Sequence, residues 1–217
     1  MARRLSAPVS GRRSAPGRRG RRSLQGEALG RGLRVGLFGG SFDPVHEGHM
    51  HVAISAMKRL KLDRVWWLVS PQNPIKSRQL GEFDRRFEAI SEAVDRPGMV
   101  VCDVERRWSV KHTQALLVEL KKKYPNNHFV WLMGADNLRG FHRWYRWRQI
   151  LASVPVAVLS RPQDPIRARL SVAASVFRQA RIRENEASGL ALKTAPAWTY
   201  LIEPLQSVSS SALRAQR

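Results

Sequence analysis

Residues 33–49 read Leu33-Arg34-Val35-Gly36-Leu37-Phe38-Gly39-Gly40-Ser41-Phe42-Asp43-Pro44-Val45-His46-Glu47-Gly48-His49, an apolar run that ends in two glycines and leads into a pair of histidines. The run predicts a buried strand over 33–38, and residues 39–44 predict a turn into a helix beginning near Pro44. Such a turn presents unpaired backbone N–H groups and the positive end of a helix dipole, which together hold a phosphate. His46 and His49 are three apart, so on that helix they share one face and bracket one ligand. Gly48 between them keeps the face open to a nucleotide. Asp43 or Ser41 is expected to cap the helix, with Pro44 early in it, where its missing donor costs little. The histidines also admit a metal-ligand reading, but three-apart spacing is not the usual four-apart zinc pair and no third ligand is obvious nearby.

Working outward, further apolar runs fall at 65–69, 99–102, 129–133 and 156–159, with a weaker one at 198–202, and most gaps between them are long enough for a helix. Near-continuous apolar strands alternating with helices imply a sheet buried on both faces. The expected fold is therefore α/β, a doubly wound, mainly parallel, Rossmann-like sheet. Ligands on such sheets sit beyond the carboxyl ends of the strands, and the segments 39–49, 70–76 and 134–137 all follow strands. One crevice collects them.

The 217 residues suit one globular domain, expected over 33–217. The formal charge of +21 is uneven: residues 1–34 hold ten arginines, no lysine and one acid, Glu27. Residues 1–32 lack apolar periodicity and are expected to form a disordered basic tail. That tail reads as a solvated extension, an organellar transit peptide, a nucleic-acid-binding arm, or the product of an upstream start of translation. No apolar run approaches the roughly 20 residues needed to span a bilayer, and no secretory signal is visible, so no membrane partner and a cytoplasmic location are expected. Cys102, the one cysteine, excludes an internal disulfide or a cysteine metal cluster and is expected in the core of a strand. The charge, with basic residues interleaved with aromatics over 139–148, keeps a nucleic-acid-binding protein as the non-enzyme alternative.

The stretch 39–49 resembles the signature of the nucleotidyltransferases that carry a T/HxGH motif, with His46-Glu47-Gly48-His49 as that element. More specifically it resembles the bacterial nicotinate-nucleotide adenylyltransferase family, whose signature begins GG(S/T)FDPxHxGH. Pantetheine-phosphate adenylyltransferases typically carry threonine where this chain has His46. Pro71-Gln72-Asn73-Pro74-Ile75-Lys76 is similar to the family's proline loop, in which Lys76 supplies charge to a polyphosphate. Arg85 and Arg86 follow on a helix, either solvating its face or contacting phosphate. Trp131-Leu132-Met133-Gly134-Ala135-Asp136-Asn137-Leu138, then Phe141, Trp144, Trp147 and Ile150, is similar to the family's GxDnL…F…W…W…I block. Gly134 is expected to let the chain turn sharply; Asp136 to meet a ribose hydroxyl or to cap a helix starting near Asn137. The aromatics recur every three residues, the pattern of an apolar helix face. From them the resemblance singles out Trp144 to stack on the pyridine ring, with the backbone N–H of Tyr145 on the pyridine carboxylate. One block departs from the family: His112-Thr113-Gln114-Ala115-Leu116-Leu117 stands where YTxDTL is usual, leaving Thr113 to reach the carboxylate through its N–H. Near the end, Ser207-Val208-Ser209-Ser210-Ser211-Ala212-Leu213-Arg214 resembles the family's (I/V)SSTxIR element.

The resemblance implies transfer of AMP from ATP to nicotinate mononucleotide in NAD biosynthesis, giving deamido-NAD and pyrophosphate. It implies Mg²⁺ bound with ATP and assigns no residue as a metal ligand. The catalytic residues would be His46, His49 and Lys76. ATP would meet Gly39, Gly40, Ser41, Phe42, His46, Gly48, His49, Gly134, Asp136, Ser209, Ser210 and Arg214; the mononucleotide would meet Thr113, Trp144 and Tyr145. Nicotinamide mononucleotide or another phosphorylated acceptor is the alternative.

Overall fold

The computed structural model describes residues 29–71, 81–160 and 168–203. Six strands build one sheet: β1 (Arg34–Gly40), β2 (Arg64–Val69), β3 (Met99–Cys102), β4 (His128–Gly134), β5 (Val156–Ser160) and β6 (Trp198–Ile202). Their order is β3-β2-β1-β4-β5-β6 and every pair is parallel. The doubly wound α/β sheet is as expected, and all six of its described strands are parallel. β1 runs two residues past the apolar stretch because Gly39 and Gly40 still pair with Leu68 and Val69 of β2.

Pleating sends alternate side chains to opposite faces. In β2, Trp66 and Leu68 join one core cluster while Val65, Trp67 and Val69 join the other. On one side the sheet is covered by α1 (Glu47–Arg59), which contributes Val52, Ala53 and Ala56, and by α2 (Phe83–Ala93), which contributes Ile90. The short α3 (Val104–Arg107) follows β3, in which Cys102 is buried. The other face is covered by α4 (Thr113–Lys123) through Leu116, Leu117 and Leu120, α5 (Ala135–Gly140) through Leu138, and α6 (Trp147–Ser153) through Ile150 and Leu151. Both faces must be apolar for this layering, which is why the strands read as near-continuous apolar runs.

The chain steps from β1 outward through β2 to β3, then returns to place β4 on the other side of β1, so the order reverses between β1 and β4. Ligands of such sheets bind outside the carboxyl ends of the strands at that reversal. The β1–β4 ladder stops at Phe38–Leu132, although β1 runs on to Gly40 and β4 to Gly134. The strand ends part there. A Cβ on Gly39 would come within 2.6 Å of the Trp131 ring, so only glycine lets the end of β1 pass over that indole.

At the far end of the chain β6 is tied back to α1. Arg59 Nη1 donates to the Ile202 carbonyl at 2.9 Å and to Glu203 Oε1 at 2.9 Å, while Nη2 pairs with Glu184. His51 Nε2 lies 3.2 Å from the other oxygen of buried Glu203. Among the described residues no helix is long and apolar enough to cross a membrane.

Candidate active site

Helix α1 begins at Glu47, not near Pro44, and His46 holds its N-cap position in extended conformation with φ −154° and ψ 169°. The residues before it make a turn, in which Phe42 takes a positive φ of 46°. No side chain caps the helix; Asp43 turns away, and its Oδ2 accepts from the Gly81 N–H at 3.4 Å. Proline and aspartate thus serve the turn rather than the helix. The His46 carbonyl accepts from the N–H groups of His49 and Met50, bringing the first turn round so that the two imidazoles face each other. Their ring centres are 3.9 Å apart at 35°, and Gly48 between them is buried. The expected histidine pair is formed, with one ring from the cap and one from the first turn.

His49 rests edge-on against Phe42 at 5.1 Å, and Phe42 packs on Phe38 and Trp67. The Phe42 ring is only 3% exposed, so its side chain belongs to the core and any part it plays toward ATP passes through its backbone. A Cβ on Gly40 would press on that ring at 2.9 Å. Ser41 Oγ is buried with no hydrogen-bond partner among the described residues. A buried, unpaired hydroxyl just past the end of β1 suits a polar ligand, since burial without a partner is costly.

Beside this turn lies a group that sequence reading left undecided between solvation and phosphate contact. Arg86 of α2 is 5% exposed, so it does not solvate the helix face, and its guanidinium is turned onto backbone carbonyls. Its Nε donates to Gly81 O at 2.9 Å, Nη1 to Ser41 O at 2.8 Å and Ser70 O at 3.0 Å, and Nη2 to Pro71 O at 3.1 Å. Burial pulls its pKa below the ordinary guanidinium value, opposed by the field of Asp43. Arg85 is exposed. The signal was present in the pattern: Phe83, Arg86, Phe87 and Ile90 recur at helical spacing, so Arg86 is a charge on an apolar face. Glu105 of α3 went unassigned as well. Burial of its carboxyl pushes the pKa up to about 7, against a lowering hydrogen bond with Ser70.

Across the parting, Gly134 has an ordinary extended backbone, φ −75° and ψ 158°, so it is not needed for a sharp turn. A Cβ there would meet only Asp136 Oδ1, the end of an exposed side chain that can swing aside. Asp136 is exposed in the first turn of α5 and caps nothing. The aromatics after it do not share one helix. Phe141 opens a 3-10 turn (Phe141–Arg143), Trp144 is extended, Arg146 is left-handed with φ 52°, and only then does α6 begin with Trp147. Phe141, Trp147 and Ile150 enter the core, whereas Trp144 is half-buried, edge-on to Trp131 at 6.2 Å and 83°. Since Trp131 also underlies Gly39, one indole links Trp144 to the end of β1. Tyr145, 49% exposed, stacks on His112 at 4.5 Å, and His112 is the N-cap residue of α4, which begins with Thr113. Lys76, Ser209, Ser210 and Arg214 lie outside the described residues.

The chain matches the cytidylyltransferase-like family over residues 37–216. A probable nicotinate-nucleotide adenylyltransferase of Roseobacter denitrificans is 48% identical over 182 residues, 84% of this chain and 92% of its own length. Another, from a Caulobacter species, is 52% identical over 189 residues, 85% of this chain and 98% of its own. A solved structure of the Plasmodium falciparum nicotinic acid mononucleotide adenylyltransferase complexed with NaAD superposes with a TM-score of 0.63 at 18% identity, covering 83% of this chain and 82% of that one. At that identity the likeness is one of fold.

Proposed function

We propose a reaction for a chain that belongs to the cytidylyltransferase-like family and, within it, to the nicotinate-nucleotide adenylyltransferases: transfer of the adenylyl group of ATP to nicotinate mononucleotide, giving deamido-NAD and pyrophosphate. The observation that carries it is the pair of imidazoles, 3.9 Å apart at the start of α1, beside the place where β1 and β4 separate. A 5′-phosphate oxygen of the mononucleotide attacks the α-phosphorus. The new P–O bond forms as the bond to the bridging oxygen of the departing pyrophosphate breaks. The attacking oxygen is already ionised at neutral pH, so no protein nucleophile or base is required and catalysis is alignment plus stabilisation of charge.

In this reading His46 and His49 stabilise the α-phosphoryl group and the leaving pyrophosphate, with the backbone of Gly39, Gly40, Ser41 and Phe42, the Ser41 hydroxyl and the space at Gly48 shaping the phosphate cradle. Gly134 and Asp136 meet the adenosine side. Trp144 offers a flat face to the pyridine ring, and the N–H groups of Tyr145 and Thr113 meet its carboxylate. Lys76, Ser209, Ser210 and Arg214 keep the polyphosphate roles that the sequence resemblance implies. Mg²⁺ enters bound with ATP and supplies neutralisation of polyphosphate charge. Among the described residues no group of three or more His, Cys, Asp or Glu side chains could hold a metal ion. We place the reaction in the cytoplasm, as the bacterial family match implies, and treat 33–217 as one catalytic domain.

Pyrophosphate release with ATP and Mg²⁺, run in parallel on nicotinate and nicotinamide mononucleotide, tests the reading. Preference for the acid is expected. Equal rates would give a dual-specificity enzyme, which the substitution of His112 for the family tyrosine allows, and silence with both would overturn the assignment.

A further inference from the structure

Among the described residues the buried Arg86 side chain makes four hydrogen bonds, all of them to backbone carbonyls. Its four carbonyls come from three separate places: Ser41 just past β1, Ser70 and Pro71 just past β2, and Gly81 just before α2. The guanidinium also lies 5.5 Å over the Phe83 ring. A planar fork with five donors matches such a fan of fixed acceptors, and a single ammonium cannot.

The Ser41 bond matters most for chemistry. In a trans peptide the carbonyl and the following N–H point in opposite directions. Holding Ser41 O at 2.8 Å therefore fixes the plane of the Ser41–Phe42 peptide and the direction of the Phe42 N–H on its other edge. The same peptide carries the buried, unpartnered Ser41 hydroxyl at one end and, at the other, the Phe42 ring on which His49 rests. We propose that Arg86 is a positioning residue for adenylyl transfer: its guanidinium pins the Ser41–Phe42 peptide to the end of β2, setting the phosphate cradle and the seat of His49 without touching the nucleotide. This rests on the adenylyl-transfer reading above.

The test uses the full chain, with Arg86→Lys keeping the charge but losing the fork, and Arg86→Gln keeping two donors without a buried charge in case the lysine variant does not fold. Melting temperature gives the folded fraction, and steady-state assays give kcat and each KM. The expected result is a fall in kcat of roughly tenfold to a hundredfold, the scale on which misplacement of about 1 Å acts. KM for ATP should rise and KM for the mononucleotide stay within about twofold, because the clamp borders the phosphate turn and not Trp144. Loss of rate in proportion to the unfolded fraction, with both KM values unchanged, would overturn the proposal and leave Arg86 purely structural. If the wild-type chain forms no dinucleotide from either mononucleotide, the reaction reading fails separately. Titration calorimetry with Mg-ATP alone then decides: binding at least tenfold weaker in Arg86→Lys supports the clamp, and equal binding overturns it.

Discussion

His49 shows how little of a catalytic residue is its own side chain. Its ring is aimed by the His46 carbonyl, by Phe42 beneath it and by the neighbouring imidazole. Replacement by alanine should leave far-UV dichroism unchanged while cutting turnover roughly a hundredfold to a thousandfold, the usual loss when one preorganised donor to developing charge is removed. Near-normal turnover would refute the role. Glu105 gives a prediction in pH. Burial raises its carboxyl pKa from 4.5 to about 7, so the folded state holds the proton more tightly than the unfolded chain. The stability contributed by the protonated form is complete below about 4.5 and is lost as pH rises through about 7. Glu105→Gln, which cannot ionise, should therefore melt progressively higher relative to wild type between pH 5 and pH 8; a constant difference in melting temperature would show that the carboxyl is not under this strain. Legibility was uneven at this scale. The spacing of His46 and His49 announced the pair, yet nothing near Arg86 in sequence names Ser41 or Ser70 as its acceptors, because those contacts exist only once two strands lie side by side.

Strands were legible for a physical reason: burial on both faces leaves no polar positions to blur a run such as 65–69 or 156–159. Helix starts were less so. The Phe141, Trp144, Trp147, Ile150 spacing imitates a helix face, but left-handed Arg146 breaks it without the glycine that usually marks such a conformation. The tie between β6 and α1 was invisible because it joins residues more than a hundred positions apart. Glu203 is 7% exposed and its partners are Arg59 and His51. Arg59→Met should destabilise the protein by about 2 kcal/mol, between the values for a surface pair and a buried one, since the arginine itself is partly exposed. In a denaturation cycle, adding Glu203→Gln should recover part of that loss; additive effects would show the pair to be uncoupled.

The molecule as a whole is far more basic than its catalytic reading requires. Residues 1–28 alone hold eight arginines and one glutamate. A chain lacking them should keep its melting temperature and turnover but leave a heparin column at distinctly lower salt, because polyanion affinity scales with the cations engaged. A matching fall in turnover would instead place those residues in the catalytic unit. The parting of β1 from β4 has a consequence of another kind. Wherever a sheet stops pairing it acquires an edge, and edges invite strands from other chains, with aggregation as the hazard. This sheet opens its extra edges in the middle, each only two residues long between Phe38 and Gly40 on one side and Leu132 and Gly134 on the other. That is too short to template a foreign strand, so the protein gains backbone outside the β1–β4 ladder for recognition without these inner edges offering a place to polymerise.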